Sequence, residues 1–244
     1  MSKKKTLLLI SFLEPWSMGR NMGAPSLYET LRGYASNGWR VHYVTAKKRR
    51  IGGGGHEQEI QLDIEGVSVH RFRLPAPFAK FSPRIQGKLD RLLFFPNYAA
   101  KAVEAILDDI DPTLIYAYEE GAVLALSRLR KGVTVKCPVL HRFQGTILGG
   151  SFKSLSTVFR KIESWLALRK SADLFVMTDD GTFGDKALSY WNTDVAANNL
   201  LFIRNGVDLS ETDDAFEKQA TLEVISATEN APLLLMVSRL AGWK

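Results

Sequence analysis

Four polar side chains of different chemistry stand close together at His141, Arg142, Gln144 and Thr146, directly after the apolar residues 138–140 (PVL). An imidazole, a guanidinium, an amide and a hydroxyl at a strand end form a set able to orient a polar ligand and exchange a proton with it. A second candidate is the loop 14–24 (EPWSMGRNMGA), which follows an apolar run and enters a helix. Gly19 and Gly23 let the backbone approach a ligand, and a helix N-terminus favours an anion or sugar hydroxyls. The loop lacks the G-x-G-x-x-G dinucleotide spacing, and no Gly-Lys-Ser/Thr follows to make it a P-loop. Two carboxylate pairs also follow apolar runs. Glu119-Glu120 read as side chains that complement a helix dipole, and Asp179-Asp180 as a helix N-cap. Arg204-Asn205-Gly206-Val207-Asp208 holds a turn with positive φ at Asn-Gly. His42 and His70 fall inside alternating strands and read as structural, and His56 lies beside the Gly52–Gly55 run.

The elements that must position these groups alternate in type. Residues 6–12 (TLLLISF) make a buried strand. Residues 25–37 make a helix with Leu27, Leu31 and Tyr34 on one face, Pro25 in the first turn and Gly38 as its stop. Residues 40–45 and 67–72 alternate as strands. Residues 89–110 read as a helix that Pro96 must kink or split. Then come strand 113–117, helix 121–129, strand 139–143, and helix 155–170 with Phe159, Ile162 and Leu166 along one face. Strand 174–177, short helix 184–191 and strand 200–203 complete the series. Strands apolar on both sides, alternating with helices, predict an α/β fold: a Rossmann-like parallel sheet with helices on both faces. Ligands of such sheets bind at the carboxyl ends of the strands, where the groups above fall. A polar, acidic stretch over 209–231 leads to a further apolar run, 232–237 (PLLLMV), and then to Ser238-Arg239-Leu240 and Lys244.

Composition narrows the class. The 244 residues are 45% hydrophobic and 24% charged, which fits a folded globular chain and excludes disordered and collagen-like ones. A single cysteine, Cys137, excludes an internal disulfide framework and a cysteine-based zinc site. No run of 18 apolar residues occurs, so no membrane span is expected. The start, MSKKKTLLLISF, is basic then apolar, but Glu14-Pro15 stands where a small-residue cleavage site would, so a cytoplasmic location is expected. The net charge of +6 is uneven: residues 1–100 carry 16 Lys/Arg against 7 Asp/Glu, and residues 201–244 carry 4 against 7. A basic front half suits an anionic partner. Without interleaved aromatics or a reading module, nucleic acid is not that partner. Lys47–Arg50 next to Gly52–Gly55 reads as a mobile basic loop. Arg71, Arg73, Lys80, Arg84 and Lys88 surround Phe72, Phe78, Phe81 and residues 92–95, which read as core with a membrane- or acceptor-facing role as the alternative. Lys153, Arg160, Lys161, Arg169 and Lys170 accompany Trp165 as a solvated basic face, again with a membrane-surface alternative.

Asn205-Gly206-Val207-Asp208, a polar helix, an apolar strand and Ser238-Arg239-Leu240…Lys244 resemble the middle of family 4 glycosyltransferases, enzymes of GT-B fold that transfer sugar from a nucleotide-sugar. Ser238 stands where that family's pattern has Gly. Met22-Gly23-Ala24 resembles the family's loop after the first strand, Asn37-Gly38-Trp39-Arg40-Val41 the start of its second strand, and His141 the His that ends a middle strand. Ser171-Ala172-Asp173 before strand 174–177 resembles its Ala-Asp segment.

The resemblance implies an N-terminal, acceptor-side half of a GT-B fold over residues 1–208, with a linker and the first strand of an incomplete second domain over 209–244. It implies His141 near the reaction centre and Gly23, Arg239 and Lys244 at the donor, the two cations steadying the leaving diphosphate without a metal or other cofactor. It implies a retaining reaction, a nucleotide-sugar donor and a glycan or lipid-linked acceptor of the kind used in cell-envelope polysaccharide synthesis. Peripheral contact at the inner membrane face goes with such an acceptor. The acidic Glu-x7-Glu motif and nucleotide pocket of the family's second domain are absent from these residues, so the chain is expected to transfer no sugar by itself. The rival reading is a non-catalytic Rossmann-like binding or scaffold domain. An oxidoreductase-like nucleotide binder is disfavoured by the missing glycine fingerprint and ribose-binding acid.

Overall fold

Short runs of β-favouring apolar residues form the strands: β1 (Thr6–Ser11), β4 (Arg40–Ala46), β5 (Val67–Phe72), β6 (Leu114–Tyr118), β7 (Val139–Phe143), β8 (Leu174–Thr178) and β9 (Leu200–Ile203). The structure is a computed structural model that describes residues 5–15, 23–47, 62–78, 82–146 and 148–204. The chain divides into two units, Met1–Asn205 and Gly206–Lys244, and only the first contains described residues. The glycine run 52–55, the Asn-Gly turn at 205–206, Arg239 and Lys244 lie outside the described residues.

The strands assemble in the order β5-β4-β1-β6-β7-β8-β9, and each neighbouring pair is parallel. Two-residue segments β2 (Glu14–Pro15) and β3 (Gly23–Ala24) pair separately, also in parallel. The helices are α1 (Pro25–Ser36), α2 (Pro83–Leu89), α3 (Phe95–Ile110), α4 (Glu120–Gly132), α5 (Leu155–Arg160), α6 (Ile162–Leu168) and α7 (Gly184–Trp191). Strand alternation sorts the core into two clusters. On β1, Leu8 and Ile10 join Phe95, Val103, Val123 and Leu126 of α3 and α4, while Leu7 and Leu9 join Leu27 and Leu31 of α1. All of β1 is therefore buried, as a central parallel strand must be. The sheet with helices on both faces is the Rossmann-like α/β architecture that the alternation predicts.

The chain steps outward from β1 to β4 and β5, then returns to the opposite side of β1 with β6. By the topology rule for doubly wound sheets, this reversal marks the carboxyl ends of β1 and β6 as the crevice where a ligand would lie. The start of α1 and the β6–α4 turn border it.

Two expected helices differ. Pro96 does not split the 89–110 segment, since it is the second residue of α3; the departure from α geometry lies before it, where residues Asp90–Phe94 widen into a π-turn that joins α2 to α3. Pro96 has no N–H, so the Leu92 carbonyl four residues earlier loses its helical donor. Arg128 of α4 supplies the replacement, with Nη2 donating to the Leu92 carbonyl at 2.8 Å and Nη1 to the Leu93 carbonyl at 3.0 Å. The 155–170 helix is two helices, because Lys161 leaves helical geometry at φ −123, ψ 45. That break removes Phe159 from the expected buried stripe, and Thr157 and Val158 face inward instead. Phe95 belongs to the core cluster and Phe72 and Phe94 pack against it, whereas Phe78 and Leu93 are exposed and Phe81 lies outside the described residues, so the core reading holds for only part of that segment. No helix among the described residues is long and apolar enough to cross a membrane.

The guanidinium that satisfies the π-turn is expected to matter for stability. Arg128→Ala should cost about 1–3 kcal/mol by stranding two carbonyls, read as a lower urea midpoint. Arg128→Lys, with a point donor in place of the fork, should fall between. An unchanged midpoint for Arg128→Ala would show that those carbonyls do not depend on it.

Candidate functional site

The sheet rim beside α1 carries a connected polar layer. Tyr116, Tyr118 and Arg142 come from positions on β6 and β7 that share the α1 side, since Tyr118 is in register with Arg142. Arg142 Nη1 donates to Thr30 Oγ1 at 3.2 Å and to the Tyr116 hydroxyl at 3.4 Å, and its guanidinium lies 5.3 Å from the Tyr118 ring centre. The Ser26 and Tyr118 hydroxyls are 2.8 Å apart, and the Gln144 side-chain amide reaches both. α1 thus presents Ser26 and Thr30 to the rim because they stand four apart, one turn along the same side.

Glu119 closes this layer. Its N–H donates to the Arg142 carbonyl at 2.9 Å, and its Oε1 accepts the Gln144 N–H at 2.7 Å. Its backbone sits at φ 71, ψ 170, a region that glycine adopts and other residues avoid. Burial and the adjacent Glu120 push the Glu119 carboxyl well above the usual carboxylate range, against the pull of the Gln144 N–H. Glu120 takes a separate partner, accepting the Ser164 hydroxyl at 2.8 Å. Burial likewise raises the tyrosines, Tyr116 to about 12, so both phenols remain hydrogen-bond donors at neutral pH. The rim therefore offers one fixed cation, a carboxyl able to hold a proton, an amide and several hydroxyls. Such a set suits a polyhydroxylated or anionic ligand.

The expected site residues separate. Gly23 pairs in β3 with Glu14, directly before α1 and so beside the crevice. Arg142 and Gln144 take part in the polar layer. His141 does not. It sits in the middle of β7, in register with Ala117 and Phe175, and is 1% exposed. Its ring meets Phe175 at 5.8 Å and Phe143 at 6.5 Å between centroids. The reason is parity: with Arg142 turned to the α1 side, His141 must turn to the other, into the larger core cluster. Burial first, then the Arg130 charge, lower its pKa to about 3, partly opposed by the Lys170 carbonyl. Thr146 is also buried, and its N–H donates to Thr182 Oγ1 at 2.8 Å. Gly145, at φ 86, lets the Asp180 carboxylate occupy the place a Cβ would take, locking the loops after β7 and β8 together.

Glu119 was legible only as a helix-dipole partner, and Ser26, Thr30, Tyr116 and Tyr118 carried no motif. The available signal was Tyr-x-Tyr at the end of an apolar strand, running straight into a carboxylate. His42 and His70 form a cross-strand pair, Nδ1 to Nε2 at 3.0 Å, within β4 and β5. No group of three or more metal-ligating side chains occurs among the described residues.

No protein-family model and no curated protein matches the chain. Solved structures do. Sucrose-phosphate synthase from Thermosynechococcus elongatus matches 89% of this chain and 53% of its own, with a TM-score of 0.57 at 18% identity. A shorter structure of that protein is covered over 100% of its length by 91% of this chain, with a TM-score of 0.51 at 17% identity. A trehalose-6-phosphate structure from E. coli, bound with UDP-2-fluoro glucose, matches with a TM-score of 0.49 at 10% identity, over 90% of this chain and 55% of its own. The chain thus spans about half the length of the full synthase it matches. The fold is the Rossmann-like α/β fold of GT-B glycosyltransferases.

Two outcomes follow from the rim. His141 has a folded pKa of about 3, below its unfolded value near 6.5, so the native state resists its proton. Its contribution should be lost as pH falls below about 6.5, by up to about 1.4 kcal/mol per pH unit, and level off near pH 3. His141→Leu should flatten the fall in urea midpoint between neutral and acid pH; an identical profile would mean the imidazole protonates within the fold. Glu119→Gly should hold or raise the melting temperature by relieving about 1–3 kcal/mol of backbone strain. Glu119→Ala, which keeps the strain and loses the Gln144 bond, should lower it.

Proposed function

We propose that this chain is the acceptor-side portion of a retaining glycosyltransferase of the family 4 type, moving sugar from a nucleotide-sugar to a glycan or lipid-linked acceptor. The observation that carries the reading is the polar layer of Glu119, Arg142 and Gln144 at the sheet's reversal point, on a fold shared with GT-B enzymes. In this reading the acceptor lies against the rim. Arg142 and the hydroxyls of Ser26 and Thr30 fix its orientation, and the proton-holding carboxyl of Glu119 bonds the attacking hydroxyl. Gly23 lets the backbone come close to the donor. Arg239 and Lys244 meet the donor diphosphate and offset the charge that grows on it as the glycosidic bond breaks. His141 acts from behind, as the buried member of the strand that presents Arg142. Contact with an anionic membrane surface would bring a lipid-linked acceptor to the rim.

Half of a two-lobed site binds better than it turns over. Ligand-observed NMR with a panel of oligosaccharides and sugar phosphates should show binding to the chain, weakened roughly tenfold or more by Arg142→Ala, since a charge-assisted hydrogen bond contributes about 1.5–3 kcal/mol. Isotope-labelled transfer across nucleotide-sugar donors should show no turnover by this chain alone. A panel in which no saccharide binds, or binding indifferent to Arg142→Ala, would sink the reading.

A further inference from the structure

Two large apolar side chains on α5 face away from the protein. Leu155 is 69% and Phe159 70% exposed, while Thr157 and Val158 face inward. Four residues apart, they share one side of the helix. α7 and the turn before it add two more rings, Phe183 at 49% and Tyr190 at 53% exposure. α7 and the turn before it pack on residues 150–152, which lead into α5. The Phe183 ring lies 3.8 Å from where a Cβ on Gly150 would stand, Phe152 packs on Tyr190 at 5.5 Å, and Trp191 Nε1 donates to the Phe152 carbonyl at 3.2 Å. α5 begins directly after that segment.

Cations stand among these apolar groups. Lys153 lies 5.2 Å from the Tyr190 ring and Lys186 5.0 Å from the Phe183 ring, and Arg160 ends α5. Residues 153–161 hold Lys153, Arg160 and Lys161 and no Asp or Glu. Asp185 accompanies Lys186 on α7, whereas Asp180 is engaged by Thr182 and Asp179 by Arg204. Phe183 holds φ 57, a left-handed conformation that disfavours an aromatic residue, and its ring is half-exposed.

We infer that the α5–α7 face docks onto an anionic lipid bilayer. Leu155, Phe159 and Phe183 enter the boundary between headgroups and acyl chains, and Lys153, Arg160 and Lys186 meet the lipid phosphates. Protruding apolar side chains ringed by cations on long stems match a fluid phosphate layer, which supplies counter-charge wherever the stems reach. The inference deepens the membrane contact of the proposed function and locates it, but it rests on this surface and not on transfer chemistry.

The test is co-sedimentation of the 244-residue chain with vesicles of phosphatidylcholine alone and of phosphatidylcholine mixed with phosphatidylglycerol. Binding is expected to the mixed vesicles, weakened at ~1 M salt, where the screening length falls to ~3 Å. Leu155→Ser/Phe159→Ser should lower the partition coefficient roughly tenfold or more without lowering the melting temperature, because both side chains are already in water. Phe183→Asn, which suits the left-handed backbone, should keep or raise the melting temperature while weakening vesicle binding. No binding to mixed vesicles at low salt overturns the inference, as does equal binding by the double variant. Concentration-dependent self-association abolished by Phe159→Ser would assign the face to a second copy instead. The assay contains no sugar, so its failure leaves the transfer reading standing, and failure of saccharide binding leaves this one standing.

Discussion

Glu119 is the only residue between the end of β6 at Tyr118 and the start of α4 at Glu120, and the rim depends on that single peptide. Its N–H must extend the β6–β7 ladder to the Arg142 carbonyl, at 2.9 Å. Its carbonyl must start α4, accepting from Ala122 and Val123 at 3.1 and 3.2 Å. With no loop to absorb the change of direction, the backbone reverses within one residue, which places it at φ 71, ψ 170. The carboxylate then lands on the Gln144 N–H, and the Gln144 amide ties the rim to Ser26 and Tyr118. Strain in one residue thus sets the orientation of groups from two strands and a helix.

Strand parity decides what belongs to this layer. His141 and Arg142 are neighbours in sequence, yet the two-residue period sends them to opposite faces. On the α1 side, Arg142 finds hydroxyls from Thr30 and Tyr116, enough to keep a half-buried cation solvated by protein. On the other side, His141 meets aromatic rings, and Nδ1 has no hydrogen-bond partner among the described residues. Desolvation is the largest effect on the imidazole and lowers its pKa to about 3, so the ring is neutral at neutral pH. One sheet separates a charged, hydroxyl-lined surface from a core in which the same type of polar atom is costly.

The fold was legible because it depends on periodicity. Apolar runs such as 6–12 and 174–177 point to buried parallel strands when helices lie between them, whereas the strand order and the reversal after β5 came only with the structure. Pro96 also announced a disturbance, which is a π-turn just before it, although the donor to the Leu92 carbonyl, Arg128, comes from a different helix and leaves no mark in the local sequence. The site was less legible for the same kind of reason. Ser26, Thr30, Tyr118 and Gln144 span more than a hundred residues, and each alone is an ordinary polar residue. The cluster reading of 141–146 placed the right loop at the rim but not the right face for His141, since three apolar residues before it do not say how far β7 continues. Gly23 could be placed beside the crevice, whereas Arg239 and Lys244 depend on residues that the described structure does not include.

Positive φ values occur at both ends of the sheet, but among the described residues only the carboxyl end places side chains other than Asp in that region. At the amino end, ahead of β4, β5 and β6, the chain uses Gly38, Gly66 and Asp111, residue types that tolerate the left-handed region cheaply. At the carboxyl end, after β6, β7 and β8, it uses Gly145 and Gly181 but also Glu119 and Phe183, types that tolerate it poorly. Glycine would satisfy the backbone at both positions and would remove strain of about 1–3 kcal/mol each. Packing does not explain the choice either, because Phe183 is half-exposed and Glu119 carries a carboxyl that burial works against. What glycine cannot supply is the side chain: a carboxyl whose pKa burial raises, bonded to the Gln144 N–H, and an exposed aromatic ring. In the readings proposed above, these two strained side chains lie where a ligand and a membrane surface would come, whereas Gly145 and Gly181 at the same end only close turns.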